Sequence, residues 1–308
     1  MVELSRRGFL STALVGAGAA GAREPGGRRA PTFVLVHGAN GNAGSFAPLV
    51  AGLATAGHRA LAVDLPGHGP AGHFPPSYQA PQDLAALAAA PSPLAGLRLA
   101  DNVDHVTRVV RRVAEHGPVV LVGHSMGGAT ITRVGNRVPH LIERLVYFTA
   151  FCCVRLRSVL ECFTATPEGP TSLLTAIPGM TDPARTGVAR TNWRSADRGF
   201  IAAAKAALAD DWDDAAFLTA LNGMEPDEAW AVTTDDARGE PATWGRIPRT
   251  YVRCTRDRAI PPGLQDRMIA EADRATPRNR FDVRTLHAPH LGPQDPRSLV
   301  RLLAGLVG

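Results

Sequence analysis

The run Pro118-Val-Val-Leu-Val-Gly-His-Ser-Met-Gly-Gly-Ala129 decides the reading of the chain. Its first half, Pro118 to Gly123, is a short β-branched stretch that predicts a buried strand, and Ser125 to Arg137 carries a helical pattern. The turn between them holds Gly123-His124-Ser125-Met126-Gly127, a G-x-S-x-G sequence. A serine at such a strand-to-helix turn sits in strained backbone, and glycines at minus two and plus two are required because a Cβ there would clash. Its hydroxyl is pushed forward at a helix N-terminus, where free N–H groups and the helix dipole favour a developing oxyanion. The five-residue pattern is common by chance; its placement between strand and helix gives it weight.

Working outward, the same alternation of short apolar runs and longer helical patterns continues on both sides. Strands are predicted at Thr32 to His37, Arg59 to Asp64, Ile142 to Thr149, Arg249 to Thr255 and Phe281 to Leu286. Helices are predicted at Ser45 to Ala56, Asn102 to Glu115, Pro262 to Asp273 and Pro296 to Leu306. That order predicts an α/β fold, a mostly parallel sheet flanked by helices. Two stretches break the rhythm. Gly67 to Leu99 is rich in Pro, Gly and Ala, with one short helix expected around Asp83 to Ala90. Ala150 to Arg246 has helical patches at Ser158 to Phe163, Ala196 to Ala209 and Trp212 to Leu221, but no strong strand before Arg249. Both follow the carboxyl ends of strands, the edge where open α/β sheets bind ligands, so they are read as a lid over a pocket. The expected organisation is residues 32–149 as core, with residues 67–99 as an excursion, a helical lid at 150–246 inserted after the strand ending near Thr149, and core again at 247–308.

Composition narrows the function classes. The 308 residues are 45% hydrophobic and 20% charged, ordinary for a globular chain. The net charge of +5 comes from arginines scattered along the sequence, with Lys205 the one lysine. Nucleic-acid binding needs a clustered basic face or interleaved aromatics, and aromatics are only 6%, so no nucleic-acid partner is expected. The N-terminus is read separately. Ser5-Arg-Arg-Gly-Phe-Leu10 resembles a twin-arginine export signal, followed by a weakly apolar small-residue run and Ala20-Gly21-Ala22 as an A-x-A cleavage site. Residues 1–22 are therefore expected to be removed and residues 23–31 to act as a linker. Phe9 to Ala22 is too short to span a bilayer, so no membrane span is expected in the mature, exported chain. Cys152, Cys153, Cys162 and Cys254 are too few for a disulfide scaffold. Buried free thiols are the default, with a bridge from Cys162 to Cys152 or Cys153 as the alternative.

A serine nucleophile needs a base to take its proton and an acid to orient that base, and both must come from other strand ends. Asp257 follows the strand Arg249 to Thr255, and His287 follows the strand Phe281 to Leu286. His287 is preferred to His290 because it lies one residue past the strand, at the sheet edge that carries the serine. The order Ser125, Asp257, His287 is the nucleophile–acid–base order of one superfamily.

Here the chain resembles the α/β-hydrolase superfamily, and within it the branch of plant methylesterases, hydroxynitrile lyases and bacterial pyrethroid-hydrolase-like carboxylesterases. The resemblance runs from about Pro31 to Val307 and rests on three blocks: Phe33-Val-Leu-Val-His-Gly-Ala39, Val119 to Gly128, and Cys254-Thr-Arg-Asp-Arg-Ala-Ile-Pro261 with Gln265, Met268 and Ile269. It implies an oxyanion hole made by the backbone N–H groups of Ala39 and Met126, and it matches His287-Ala288-Pro289 to a family His-x-Pro. It also implies hydrolysis rather than cyanohydrin cleavage, since lyases of the branch carry threonine and lysine where this chain has Gly38 and Ala288. The expectation is a serine carboxylesterase acting on a mainly hydrophobic ester, thioester or lactone. The alternatives are a lyase or cyclase using the same pocket and a receptor-like small-molecule binder. No cofactor and no metal are expected. His68 and His73 share a loop without an acidic or cysteine partner at ligand spacing.

Overall fold

The computed structural model describes residues 29–307, so the expected export segment and most of the expected linker lie outside the described residues. Its strands are β1 (Thr32–Val36), β2 (Arg59–Val63), β3 (Val119–Ser125), β4 (Ile142–Ala150), β5 (Val188–Arg190), β6 (Asp227–Ala229), β7 (Arg249–Cys254) and β8 (Asp282–Leu286). Six of them form one wholly parallel sheet in the order β2-β1-β3-β4-β7-β8. The inner strands are buried on both faces, which is why β1 and β3 read in sequence as unbroken apolar runs. The two edge strands expose Leu61 and Val283.

Alternation along each inner strand divides the core in two. Val34, Val36, Leu121, Leu145 and Tyr147 point to one face, against the helices Leu99–Ala114, Gly127–Arg137 and Pro262–Ala275. Phe33, Leu35, Val120, Val122 and Val146 point to the other, against the helices Ala47–Thr55 and Arg297–Ala304. Fully burying each such side chain contributes about 1.5–3 kcal/mol, so this double layer fixes the positions of the strand ends. The helix Leu99–Ala114 starts before the expected Asn102 because the backbone N–H of Arg98 donates to the Asp101 carboxylate at 2.8 Å, closing its first turn.

Between β4 and β7 lie the helices Val159–Thr164, Pro183–Thr186, Arg198–Leu208, Asp214–Asn222 and Trp230–Thr234, together with the antiparallel ribbon β5–β6. No strong strand was expected there, and this ribbon escapes detection for a physical reason. Each strand has three residues, and one end of the ribbon is polar: the buried Arg190 guanidinium grips the buried Asp227 carboxylate, with Nη2 to Oδ2 at 2.7 Å. Arg190 also donates to the carbonyls of Leu87 and Ala90, and the amides of Gln82 and Asn192 bond each other at 3.0 and 2.9 Å. The Pro-rich excursion after β2 is thereby packed against the insertion after β4. Trp193, Phe200, Phe217 and Leu221 give the insertion a small apolar centre of its own.

All four cysteines are buried free thiols, with the Sγ atoms of Cys153 and Cys162 3.9 Å apart. Among the described residues no helix is long and apolar enough to cross a membrane.

Candidate active site

β3 runs two residues beyond the expected Gly123 and ends at Ser125, whose φ is +51°. The helix starts at Gly127, not at Ser125. The two elbow glycines explain each other: a Cβ on Gly123 would lie 2.9 Å from the Gly127 carbonyl, and one on Gly127 would lie 2.6 Å from the carbonyls of Val36 and His37. The helix can therefore begin flush against the end of β1. Gly38, next along that loop, is packed on the serine itself, since a Cβ there would come within 2.6 Å of Ser125 Cβ and 3.2 Å of its Oγ.

Ser125 Oγ lies 3.0 Å from Nε2 of His290, and Nδ1 of His290 lies 2.7 Å from Oδ2 of Asp257. All three residues are buried. The Asp257 carboxylate is fully engaged: Oδ1 accepts the N–H groups of Ala259 and Ile260, both at 2.7 Å, and Oδ2 accepts the Thr149 hydroxyl besides the imidazole. With Nδ1–H donating to Asp257, the free Nε2 of His290 is the acceptor for the serine hydroxyl. The backbone of His290 is held as well. Burial, with the neighbouring His290 adding to it, lowers the His124 pKa to about 3, so His124 is neutral and its Nε2–H donates to the His290 carbonyl at 2.8 Å.

The structure thus corrects the base: His290 reaches the serine and His287 does not. The expected position one residue past β8 is on the wrong side of the sheet's width. β8 is three strand positions from β3, so at ~4.8 Å per strand the gap is roughly 14 Å, and the chain must cross it before a side chain can meet Ser125. Pairing with the chain after β7 continues past β8, through Thr255 N–H to the Leu286 carbonyl and Arg256 N–H to the Ala288 carbonyl. Only then does the turn Pro289–Gly292 carry His290 across, closed by Gly292 N–H donating to the Pro289 carbonyl, with Gly292 at φ +85°. His287 stays exposed, its Nδ1 3.0 Å from Thr255 Oγ1, beside a surface cavity of about 450 Å³ shared with Thr171, Asp210, Arg256 and Arg258. The distance across the sheet depends on the order of the strands within it, which the sequence analysis does not give.

Ala39 and Met126, the expected oxyanion donors, flank the serine. Met126 directly follows it and leads into the first helical turn, where N–H groups have no intrahelical acceptor. Ala39 follows Gly38 in the loop packed on the serine. His37 braces this loop: burial and the neighbouring His68 lower its pKa to about 4, and the neutral ring donates from Nδ1 to the Gly38 carbonyl at 2.8 Å while Nε2 accepts the Leu65 N–H at 3.0 Å. His68 does not pair with His73. It faces Glu228, with Nε2 3.4 Å from Oε2. Among the described residues no group of three or more His, Cys, Asp or Glu side chains is arranged to hold a metal ion.

Comparison with known proteins agrees with this architecture. An esterase of Mycobacterium tuberculosis is 35% identical over 132 residues, 43% of this chain, and the match spans only 37% of that relative's length. An extracellular alpha/beta-hydrolase from a Paenibacillus species, described as sharing structural and functional homology with tobacco salicylic acid binding protein 2, superposes with a TM-score of 0.65 at 20% identity over 90% of this chain and 99% of its own. A pyrethroid hydrolase from Sphingobium faniae superposes equally well, TM-score 0.65 at 20% identity over 90% and 97% of the two chains. The model of the alpha/beta hydrolase family matches residues 33–302, nearly the whole of the described chain, and with that match the chain belongs to the alpha/beta hydrolase family.

Proposed function

We propose that this protein is an exported serine hydrolase that cleaves mainly hydrophobic carboxylic esters, thioesters or lactones through an acyl-enzyme. The observation that carries the reading is the buried hydrogen-bonded chain from Ser125 through His290 to Asp257. In this reading His290 takes the Ser125 proton on Nε2 as Oγ attacks the acyl carbon. Asp257 holds the ring and stabilises the imidazolium. The tetrahedral oxyanion is met by the N–H groups of Ala39 and Met126. His290 then gives the proton to the departing alcohol, and a water enters by the same route in reverse to release the acid.

The preference for apolar acyl groups is supported by the apolar core that starts at Met126, next to the serine. Met126, Phe151, Val159 and Val232 belong to one apolar cluster on that side of the sheet. Hydrolysis is preferred to the lyase chemistry of the resembling branch. With the base placed at His290 the residue after it is Leu291, which, like Ala288, is not a lysine, and Gly38 is not a threonine.

The test is a panel of chromogenic esters of increasing acyl length, run on the mature protein beside Ser125→Ala. Turnover lost by several orders of magnitude in the variant, with the fold intact, supports the mechanism, and unchanged turnover in a clean preparation overturns it. The export half of the reading rests on the paired arginines. Replacing Arg6 and Arg7 by lysine should retain the protein inside the cell, and normal secretion of that variant would remove this part of the proposal.

A further inference from the structure

The loop that follows β1 is held in place from outside the sheet, by residues the mechanism above does not use. Asn40 sits at φ +57°, and its backbone N–H, next after that of Ala39, donates to Oε2 of Glu228 at 2.9 Å. Its side-chain amide donates to the Glu225 carbonyl at 2.9 Å, and its own carbonyl accepts the Glu225 N–H at 2.9 Å. Two residues on, the Asn42 amide donates to Glu225 Oε1 at 2.9 Å and to the Gly223 carbonyl at 3.2 Å. Glu225 and Glu228 both belong to the insertion between β4 and β7, Glu228 to the ribbon strand β6.

Both glutamates are buried, so each carboxylate must be matched by donors or it would be costly to keep. Glu225 Oε1 is matched by Asn42 and by the Gly69 N–H at 2.7 Å. Glu228 is matched by the Asn40 N–H, by the Ala229 N–H at 3.1 Å and by His68. Asp64 completes the ring of acidic groups by accepting the Ala43 N–H at 2.7 Å, and His37 supports the loop from the β1 side. The loop therefore has four fastenings, His37 and Asp64 at the ends of sheet strands and Glu225 and Glu228 on the insertion. The peptide that carries the Ala39 N–H is held at its Gly38 carbonyl by His37, and the next peptide is held at its Asn40 N–H by Glu228.

We propose that Glu228 is a positioning residue for the reaction. By holding the Asn40 N–H it fixes the preceding peptide so that the Ala39 N–H aims at the oxyanion, and it makes oxyanion stabilisation depend on the docking of the insertion. The inference rests on the reading of Ser125 as nucleophile and of Ala39 as an oxyanion donor. A displacement of about 1 Å in such a donor is enough to lower turnover by about a hundredfold without touching ground-state binding.

Two conservative variants separate the reach of the carboxylate from its charge. Glu228→Asp keeps the charge beside His68 but draws the acceptor back by one bond, ~1.5 Å, out of reach of the Asn40 N–H. Glu228→Gln keeps an acceptor oxygen at the same reach and loses the charge. Each is measured for kcat and KM on one short chromogenic ester, for the inhibition constant of a trifluoromethyl ketone that forms a tetrahedral adduct, for active-site content by phosphonate titration, and for Tm. Expected per titrated site is a kcat lowered roughly 30- to 100-fold in Glu228→Asp with KM within about threefold, and ketone affinity falling in parallel with kcat. Glu228→Gln should recover kcat to within about fivefold of the parent enzyme. If Ser125→Ala is inactive while Glu228→Asp keeps parental kcat and ketone affinity, the inference about Glu228 is wrong and the reading of the site stands. If Ser125→Ala itself remains active, the reading of the site fails first. Should Glu228→Asp fail to fold, Glu228→Gln still decides the matter: kcat and ketone affinity within about fivefold of the parent support the proposal, and a parallel loss of both by about thirtyfold or more in the folded variant, which keeps the bond and loses only the charge, overturns it.

Discussion

His290 and His287 lie three residues apart, and the structure assigns them opposite consequences. In His290→Ala the serine loses the acceptor 3.0 Å from its Oγ, and the Asp257 carboxylate loses the imidazole at 2.7 Å. No replacement is at hand: His124 is neutral with its Nε2–H committed to the residue 290 carbonyl, and His287 is exposed and turned to Thr255. The serine must then surrender its proton to water, and loss of a base in such a unit costs at least about 10⁴ in kcat, ~5.5 kcal/mol of barrier. In His287→Ala one exposed contact to Thr255 disappears, so kcat should stay within about threefold and stability within ~0.5 kcal/mol. The assay is kcat and KM on one ester for both purified variants, with Tm to show that each is folded and a phosphonate to count competent serines. The Ser125 labelling rate should collapse with His290→Ala and persist with His287→Ala. An inactive but folded His287→Ala beside a His290→Ala that keeps more than about a tenth of the activity would refute the geometry.

Three further outcomes follow from the same contacts. Gly38→Ala puts a Cβ 2.6 Å from the serine Cβ, so kcat should fall by about a hundredfold, whereas Gly96→Ala, whose Cβ meets open space, should leave turnover unchanged; similar kinetics for the two would disprove the close approach. Burial opposes a charge on His68, but its bond to Glu228 and that carboxylate's charge outweigh it and raise the pKa to about 9. A raised folded-state pKa gives stability that is complete below about pH 6.5 and is lost as pH rises toward 9, so Tm should fall over that window in the parent and not in His68→Gln; parallel Tm curves would count against the ion pair. Native protein should be inert to a bulky thiol reagent and titrate four thiols per chain after unfolding, while a count of two would show that Cys153 and Cys162 are bridged.

What was legible in the sequence is what local pattern controls. The inner strands were placed to within a residue or two because burial on both faces forces an apolar run, and the elbow was legible because its glycines answer to a steric demand within five residues. Asp257 was legible for the same kind of reason: it lies close enough after β7 that strand end and side-chain position coincide. His290 was missed because its position depends on how far a loop must travel across the sheet, a property of strand order and not of the neighbouring residues. The β5–β6 ribbon and the Glu225–Glu228 fastening were missed because their partners, Leu87, Ala90, Asn40 and Asn42, lie a hundred or more residues away. Charged residues in such places look like surface until the partner is known.

The backbone marks the same site independently of any side-chain chemistry. Among the described residues, the non-glycine positions with positive φ are Asn40, Ser125 and Thr149. Each such residue costs of order 1–3 kcal/mol and persists only where surrounding structure fixes it. Glycine would relieve the strain at all three, yet each side chain is used: Ser125 Oγ faces His290, the Thr149 hydroxyl donates to Asp257, and the Asn40 amide holds the Glu225 carbonyl. The three sit at the nucleophile, at the support of the acid, and at the loop beside Ala39, so the strain is distributed over the parts that the proposed reaction needs to hold still. That distribution also explains why the insertion grips the loop so tightly. A backbone kept at φ +57° relaxes unless something opposes it, and the bonds from Glu225 and Glu228 are what oppose it at Asn40.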